Sequence, residues 1–469
     1  MSRSTSRPAA RFTAVSGASR REFLRRSAGF AALGSAAPFA LNLAALGSAA
    51  AATATDDYKA LVCVFLFGGN DCANTVIPFD PAEHAAYVRA RPTIARGRDT
   101  LLPLGASARQ GGRPFALPPE LQPLAPLYAG GRLAVVGNVG PLRVPTSRSQ
   151  YEARTVPLPP KLFSHNDQQS VWQADAPEGA AAGWGGRIAD LLAASNGKST
   201  FTSLSIAGNA PWGTGRSVQA YQVGPGGPVA VNVLADSSLF GSTAAPALLR
   251  RVTTDSRTHL LQDDYARLTA RALAASSDLA TALRGSPALQ TGFPRDNALA
   301  AQLRLVARSI GARQALGARR QVFFVGLGGW DHHAFLLRSH AALLTQLGQA
   351  LAAFDAALGE LGVRNQVTTF TASDFGRALV SNGDGSDHGW GSHHLVLGGA
   401  VRGGEVYGRF PVVTTGTAED AGQGRLIPTT AVDQYAAAFG RWMGLSESQL
   451  DDVLPGLRQF DRSALPLFG

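Results

Sequence analysis

Three aspartates sit where apolar runs stop. Asp71 ends ALVCVFLFGGND (60–71), Asp331 ends QVFFVGLGGWD (321–331), and Asp374 follows NQVTTFTAS (365–373). Aspartate is a poor strand residue and costly to bury alone, so three such placements predict a shared partner at one end of a sheet. The chain has nine histidines, and six of them (His332, His333, His340, His388, His393, His394) lie between residues 332 and 394. The loop GDGSDHGWGSHH places Asp384, Asp387, His388, His393 and His394 among small residues that let a backbone wrap closely round a site. Carboxylate with imidazole suits Zn²⁺ or Mn²⁺ better than Ca²⁺ or Mg²⁺, which favour oxygen alone. A site for a divalent ion, or a mixed pair of ions, is expected somewhere in this set of aspartates and histidines.

Each residue also has a plainer reading. Asp71 and Asp374 would serve equally as helix caps, and His340 falls on an apolar helical stripe, as a packed core histidine does. Adjacent histidines in extended chain point opposite ways, so one each of His332/His333 and His393/His394 suffices as a ligand. Trp184, Trp330 and Trp390 read as core, or as stacking walls for a ring substrate.

For catalysis, LFSHNDQQSVWQ (162–173) predicts a helix start with Ser164 at its N-cap, where backbone N–H groups favour an anion. His165 and Asp167 beside it are a candidate base or ligand, and Ser147, Ser149 and Thr155 are alternative nucleophiles. Arg377, three residues past Asp374, has the fork geometry to hold an oxyanion or else lies exposed.

The elements that must position these residues are legible. Continuous apolar runs at 60–67, 132–140, 201–208, 321–327 and 365–373 predict strands buried on both faces, as in a mostly parallel sheet flanked by helices. Leu336, Leu343, Leu347, Leu351, Phe354, Leu358 and Leu361 recur at helical spacing, so one long helix joins the last two strands in a right-handed crossover. A second helix runs from Asn297 to about Arg319, with Asp296 as its expected N-cap. The Pro- and Arg-rich stretch 141–160 reads as a surface loop, and the Gly-rich stretch 207–229 as a rim or flap.

At 469 residues and 45% hydrophobic composition the chain can bury a large core. Ser19-Arg20-Arg21-Glu22-Phe23-Leu24, followed by a weakly apolar Ala/Gly/Leu stretch, reads as a twin-arginine export signal ending in small residues suited to cleavage. The expected division is residues 1–53 as signal peptide and 54–469 as a single α/β domain with long insertions. No other segment is expected to span a bilayer, so no stable membrane span survives cleavage. Seven arginines and one glutamate in the first fifty residues account for six of the ten excess positive charges. The mature part keeps a mild +4 with no basic block, which excludes a nucleic-acid binder. Cys63 lies inside the first apolar run and Cys72 just past its end, so the strand between them holds them too far apart for a disulfide. Expected partners are the twin-arginine translocase during export, a small-molecule or glycan ester, and a co-exported protein; the expected location is periplasmic or extracellular.

GGNDCANTVIP, GGWDHH, TASDFGR and DHGWGSHHLVLGGAVRGGEVYG resemble the signature segments of a family of secreted bacterial proteins, domain of unknown function 1501. That family is similar in its motifs to the alkaline phosphatase and sulfatase superfamily. The resemblance implies a three-layer α/β/α sandwich, two metal ions, and a nucleophile at a helix start. Carried over, it implies that Asp71 and Asp374 bind one ion, that Asp331, His333 and His393 or His394 bind the other, and that His388 is an additional ligand. Phe375 stands where the superfamily places a histidine, and Asp331 and His333 are two residues apart where it often spaces the pair by four. Neither cysteine begins Cys-x-Pro-x-Arg, which argues against a formylglycine nucleophile. The implied activity is metal-dependent hydrolysis of a phosphate or sulfate ester, with Ser164 or a water attacking. The alternative is a secreted binding or assembly protein that keeps the fold without the chemistry.

Overall fold

The computed structural model describes residues 58–228 and 238–469. The twin-arginine segment lies outside the described residues. Asp56–Gly469 is one compact unit.

The described residues contain fourteen strands: β1 (Lys59–Leu66), β2 (Ile77–Pro78), β3 (Leu102–Ser107), β4 (Arg113–Leu117), β5 (Leu133–Gly140), β6 (Ser203–Ser205) and β7 (Tyr221–Gln222). They continue with β8 (Arg320–Leu327), β9 (Val367–Ser373), β10 (Arg377–Ser381), β11 (Ser386–His388), β12 (Ser392–Gly398), β13 (Val406–Tyr407) and β14 (Thr430–Ala431). Helices of nine or more residues are α1 (Pro81–Ala90), α2 (His165–Ala174), α3 (Trp184–Leu192), α4 (Ala245–Thr254), α5 (Leu260–Gly285), α6 (Ala298–Gly311), α7 (Leu336–Glu360) and α8 (Val432–Met443).

Nine strands form the central sheet in the order β13, β5, β12, β9, β1, β8, β6, β7, with β14 also paired to β5. Only β12 runs antiparallel to its neighbours; every other pairing is parallel. All five apolar runs became strands of this sheet, and β1 shows why. Ala60, Val62, Val64 and Leu66 pack into a core with Leu279 of α5, Leu303 of α6 and Leu347 of α7. The alternate Leu61, Cys63 and Phe65 join a second core with Trp184 of α3 and Tyr435 of α8. A strand covered on both faces needs no polar side, so its sequence is continuously apolar. Two helical layers and the sheet make the expected three-layer α/β/α sandwich.

Helix α7 joins β8 to β9, which lie on either side of β1. It is also long and apolar enough to cross a membrane, contrary to the sequence reading that no other segment is, but half of that stretch is buried within the protein. Its His340, Leu344, Leu347, Leu351 and Phe354 face inward, as a core helix requires. The N-cap of α6 is Asn297, not Asp296: its side chain accepts the Ala300 N–H at 3.0 Å. The stretch 207–229 is only partly a rim, because Trp212 is buried against Trp184 and Phe324. Trp184, Trp330 and Trp390 are all core residues. Both cysteines are free and buried.

The sheet fixes the level of the three acids. Leu66 of β1 is level with Leu327 of β8 on one side and Ser373 of β9 on the other. Asp71, Asp331 and Asp374 therefore leave adjacent parallel strands at one end, the usual place for a site in an open α/β sheet.

Candidate metal centre

Two glycines bring the strand-end loops together. Gly68 has φ of +118°, and a Cβ there would lie 2.5 Å from the backbone nitrogen of Asp331. Gly69 has φ of +87°, and a Cβ there would run into the ring of Phe375. Only glycine tolerates both the left-handed backbone and the contact.

Asp331 is the hub. Its Oδ1 accepts from Arg377 Nη1 at 2.7 Å and lies 3.1 Å from His333 Nε2 and 3.2 Å from His388 Nε2. Its Oδ2 is 3.4 Å from His165 Nε2. Burial alone would raise the Asp331 carboxyl, but Arg377, His333 and His165 outweigh it and hold it below the usual carboxylate range. The hub is therefore an anion at neutral pH.

Each surrounding ring is oriented from its far nitrogen. His388 Nδ1 is 2.8 Å from the carbonyl oxygen of Phe163, which makes Nδ1 the proton-bearing atom and leaves Nε2 a lone pair. Burial lowers His388, so this neutral form is the stable one. His165 Nδ1 donates to Asp374 Oδ2 at 2.6 Å, and that hydrogen bond is the chief reason the His165 value is raised. His333 Nδ1 is 3.5 Å from Asp387 Oδ1. His333 Nε2 lies 2.9 Å from His388 Nε2, so these two atoms need a proton or a cation between them.

One ligand atom each of His165, Asp331 and His388 lie within 4.8 Å of one another, and His333 Nε2 reaches two of the three, Asp331 Oδ1 at 3.1 Å and His388 Nε2 at 2.9 Å. Imidazoles that present one nitrogen inward while the other is held by a carboxylate or a carbonyl are what a metal site requires. The Oδ1 of Asp374 is buried without a hydrogen-bond partner, and a nearby cation would satisfy it. The donor set fits one divalent transition-metal ion.

The elements explain the convergence. Helix α2 begins at His165, directing it into the strand ends, and Gln169 one turn on donates to Asp374 Oδ2 at 2.7 Å. The β10–β11 hairpin pairs Arg377 with His388 and delivers both. Aromatic contact from Phe375, with ring centroids 4.9 Å from His165 and 4.7 Å from His388, packs the pair from one side.

Other expected residues are placed differently. Arg377 is buried rather than free to grip an oxyanion: besides Asp331, it donates to the carbonyls of Ser386 and Gly68. His393 and His394 do not join the cluster by any hydrogen bond or ion pair among the described residues. They lie on β12, which is buried on both faces. His393 Nδ1 accepts the Asn138 N–H at 3.0 Å, and its ring packs on Phe410. His394 packs between Trp172 and Tyr435. Burial pushes both down to about 3, so both are neutral core side chains.

Asp71 forms a two-pronged pair with Arg91, at 2.8 Å on each oxygen, with both side chains fully buried. Burial would raise Asp71, but the charge and hydrogen bonds of Arg91 bring it below its ordinary value. Removing either partner would strand a buried charge at a cost of about 3–5 kcal/mol. Sequence reasoning missed Arg91, which belongs to no motif and follows α1. His340, expected as core, is core: its Nε2 is 2.9 Å from Asn70 Oδ1.

Ser164 is the N-cap residue of α2, yet its hydroxyl makes no capping bond. It donates instead to Asp167 Oδ2 at 2.9 Å, with Lys161 Nζ 3.7 Å from the same oxygen. Ser147 is spoken for, as the N-cap of a short helix in a reciprocal capping box with Gln150.

The model of one family, described as "Protein of unknown function (DUF1501)", matches residues 145–454. The chain belongs to this family. No curated protein matches it. Among solved structures it is similar to Ps i-CgsB in complex with k-i-k-neocarrahexaose, at 10% identity and TM-score 0.35 over 87% of this chain and 78% of that one. It is similar also to PsFucS1 sulfatase from Pseudoalteromonas sp., at 10% identity and TM-score 0.33 over 87% and 71%. A variant of alkaline phosphatase PafA matches at 12% identity and TM-score 0.26, over 69% and 64%.

Proposed function

We propose that this DUF1501 protein is an exported hydrolase of a phosphate or sulfate ester that works with a divalent transition-metal ion held by Asp331, His165, His388 and His333. The observation that carries the reading is the approach of His388 Nε2 to His333 Nε2 at 2.9 Å beside an ionised Asp331, with Phe163 holding the far nitrogen of His388. A bound ion would supply Lewis-acid polarisation of the ester oxygen and ease loss of the leaving group.

The chain's own residues do the rest. Arg377 fixes Asp331 and keeps it ionised. Asp374 and Gln169 fix His165 in one tautomer. Ser164 lies next to His165 at the start of α2, where free N–H groups favour an anionic ester, and Asp167 accepts its hydroxyl proton as a nucleophile's partner must. The attacking group is Ser164 or a water.

A second reading, a binding or assembly protein without turnover, draws support from Phe375 at the position of the superfamily histidine and from the saturated Asp71. The two part on one assay. Purified protein, supplied with Zn²⁺ or Mn²⁺, is expected to hydrolyse a small aryl phosphate or aryl sulfate, and chelator or Asp331→Asn to reduce turnover by about 100-fold or more. No turnover of either ester by the metal-supplied protein would sink the hydrolase reading and leave the binding one. Export is tested separately, by replacing Arg20 and Arg21 with Lys: the protein should then stay in the cytoplasm.

A further inference from the structure

The family resemblance implies two ions, but the described residues fit only one, and the misfit is centred on Asp71. Each of its oxygens already receives a guanidinium N–H from Arg91 at 2.8 Å, and neither side chain is exposed. The positive charge that a second ion would bring to this acid is therefore built into the chain. On one side the ring of Phe375 lies against Gly69 and against two of the site histidines, His165 and His388. Nor does His340 offer a cation, since burial keeps it neutral.

We infer that Arg91 stands in for a second metal ion, so that the centre takes one ion per chain and the Asp71–Arg91 pair is a structural tie, not part of the ligand set. Arg91 is the C-cap residue that follows α1, and its guanidinium lies over the ring of Tyr87, whose hydroxyl meets Asn74. The pair thus ties α1 to the GGND loop. That loop in turn packs through Gly68 on the backbone of Asp331. This inference rests on the metal reading above.

The test is the stoichiometry of Co²⁺ after equilibrium dialysis of metal-stripped protein, counted by elemental analysis. It is run beside an Asp71→Asn/Arg91→Met double variant, which removes both buried charges together, with circular dichroism to confirm that each is folded. One equivalent in the wild type, kept with unchanged affinity in the folded double variant, is the expected result. Two equivalents in the wild type would overturn the inference while leaving the metal reading intact. So would one equivalent in the wild type that the folded double variant loses, because Asp71 would then be a ligand. No Co²⁺ in the wild type would remove the metal reading and this inference with it. The wild-type count decides the matter even if the double variant does not fold.

Discussion

At the scale of single residues, ligands differ from the groups that aim them. Asp374 touches His165 Nδ1 and Gln169, so Asp374→Asn should weaken metal binding by about 10- to 100-fold without abolishing it, as loss of an orienting partner does. Asp331→Asn should abolish it. Equal affinity in Asp374→Asn and wild type, read by competition with a metal indicator, would contradict the assignment. Residue types alone placed Asp331, His333, His388, His165 and Asp374 among the candidates, because an acid or imidazole at a strand end or helix start is costly without a partner. They did not distinguish Asp71, which carries the same signal but is neutralised by Arg91, twenty residues away with no motif to mark it. The His393/His394 doublet misled for a related reason. In SHHLVLGG the flanking apolar residues signal a buried strand, and there both imidazoles serve as packing.

At the scale of elements, the strand ends and their glycines set the site. Gly68→Ala forces a left-handed Cβ against the Asp331 backbone and should destabilise the fold by about 2 kcal/mol or more. A denaturant midpoint unchanged from wild type would refute the close loop packing. Helix α8 carries a separate cost. Asp433, in its first turn, is pushed up from 3.8 to about 7, chiefly by burial and then by the charge of Asp175. The folded chain thus binds this proton more tightly than the unfolded chain. Stability from this group is full below the unfolded value and declines as pH rises through the folded one. Asp433→Asn should accordingly raise Tm at pH 8 and change it little at pH 4, and the reverse pattern would show that the carboxyl is not held neutral. The strands were readable because burial on both faces leaves an unbroken apolar run. The cap of α6 was misplaced by one residue, since Asp296 and Asn297 are both good caps and only the backbone decides.

At the scale of the whole molecule, a metal that binds only the folded chain must stabilise it by mass action. Free ion at 100 times its Kd should add about 2.7 kcal/mol, visible as a rise in Tm that chelator reverses. The layer order was legible in the C-terminal half, where two helical stretches alternate with the apolar runs at 321–327 and 365–373. What joins distant segments was not: His165 and Asp331 are brought together by the placement of α2 beside β9, which no local pattern encodes. The proposed centre holds one ion among His165, Asp331, His333 and His388. The most direct measurement is an anomalous difference map, collected at the absorption edge of the bound metal from crystals of protein purified without chelator. A single peak within bonding distance of Asp331 and the three imidazoles is predicted. A map with no peak there, from crystals grown with excess metal, would contradict the account.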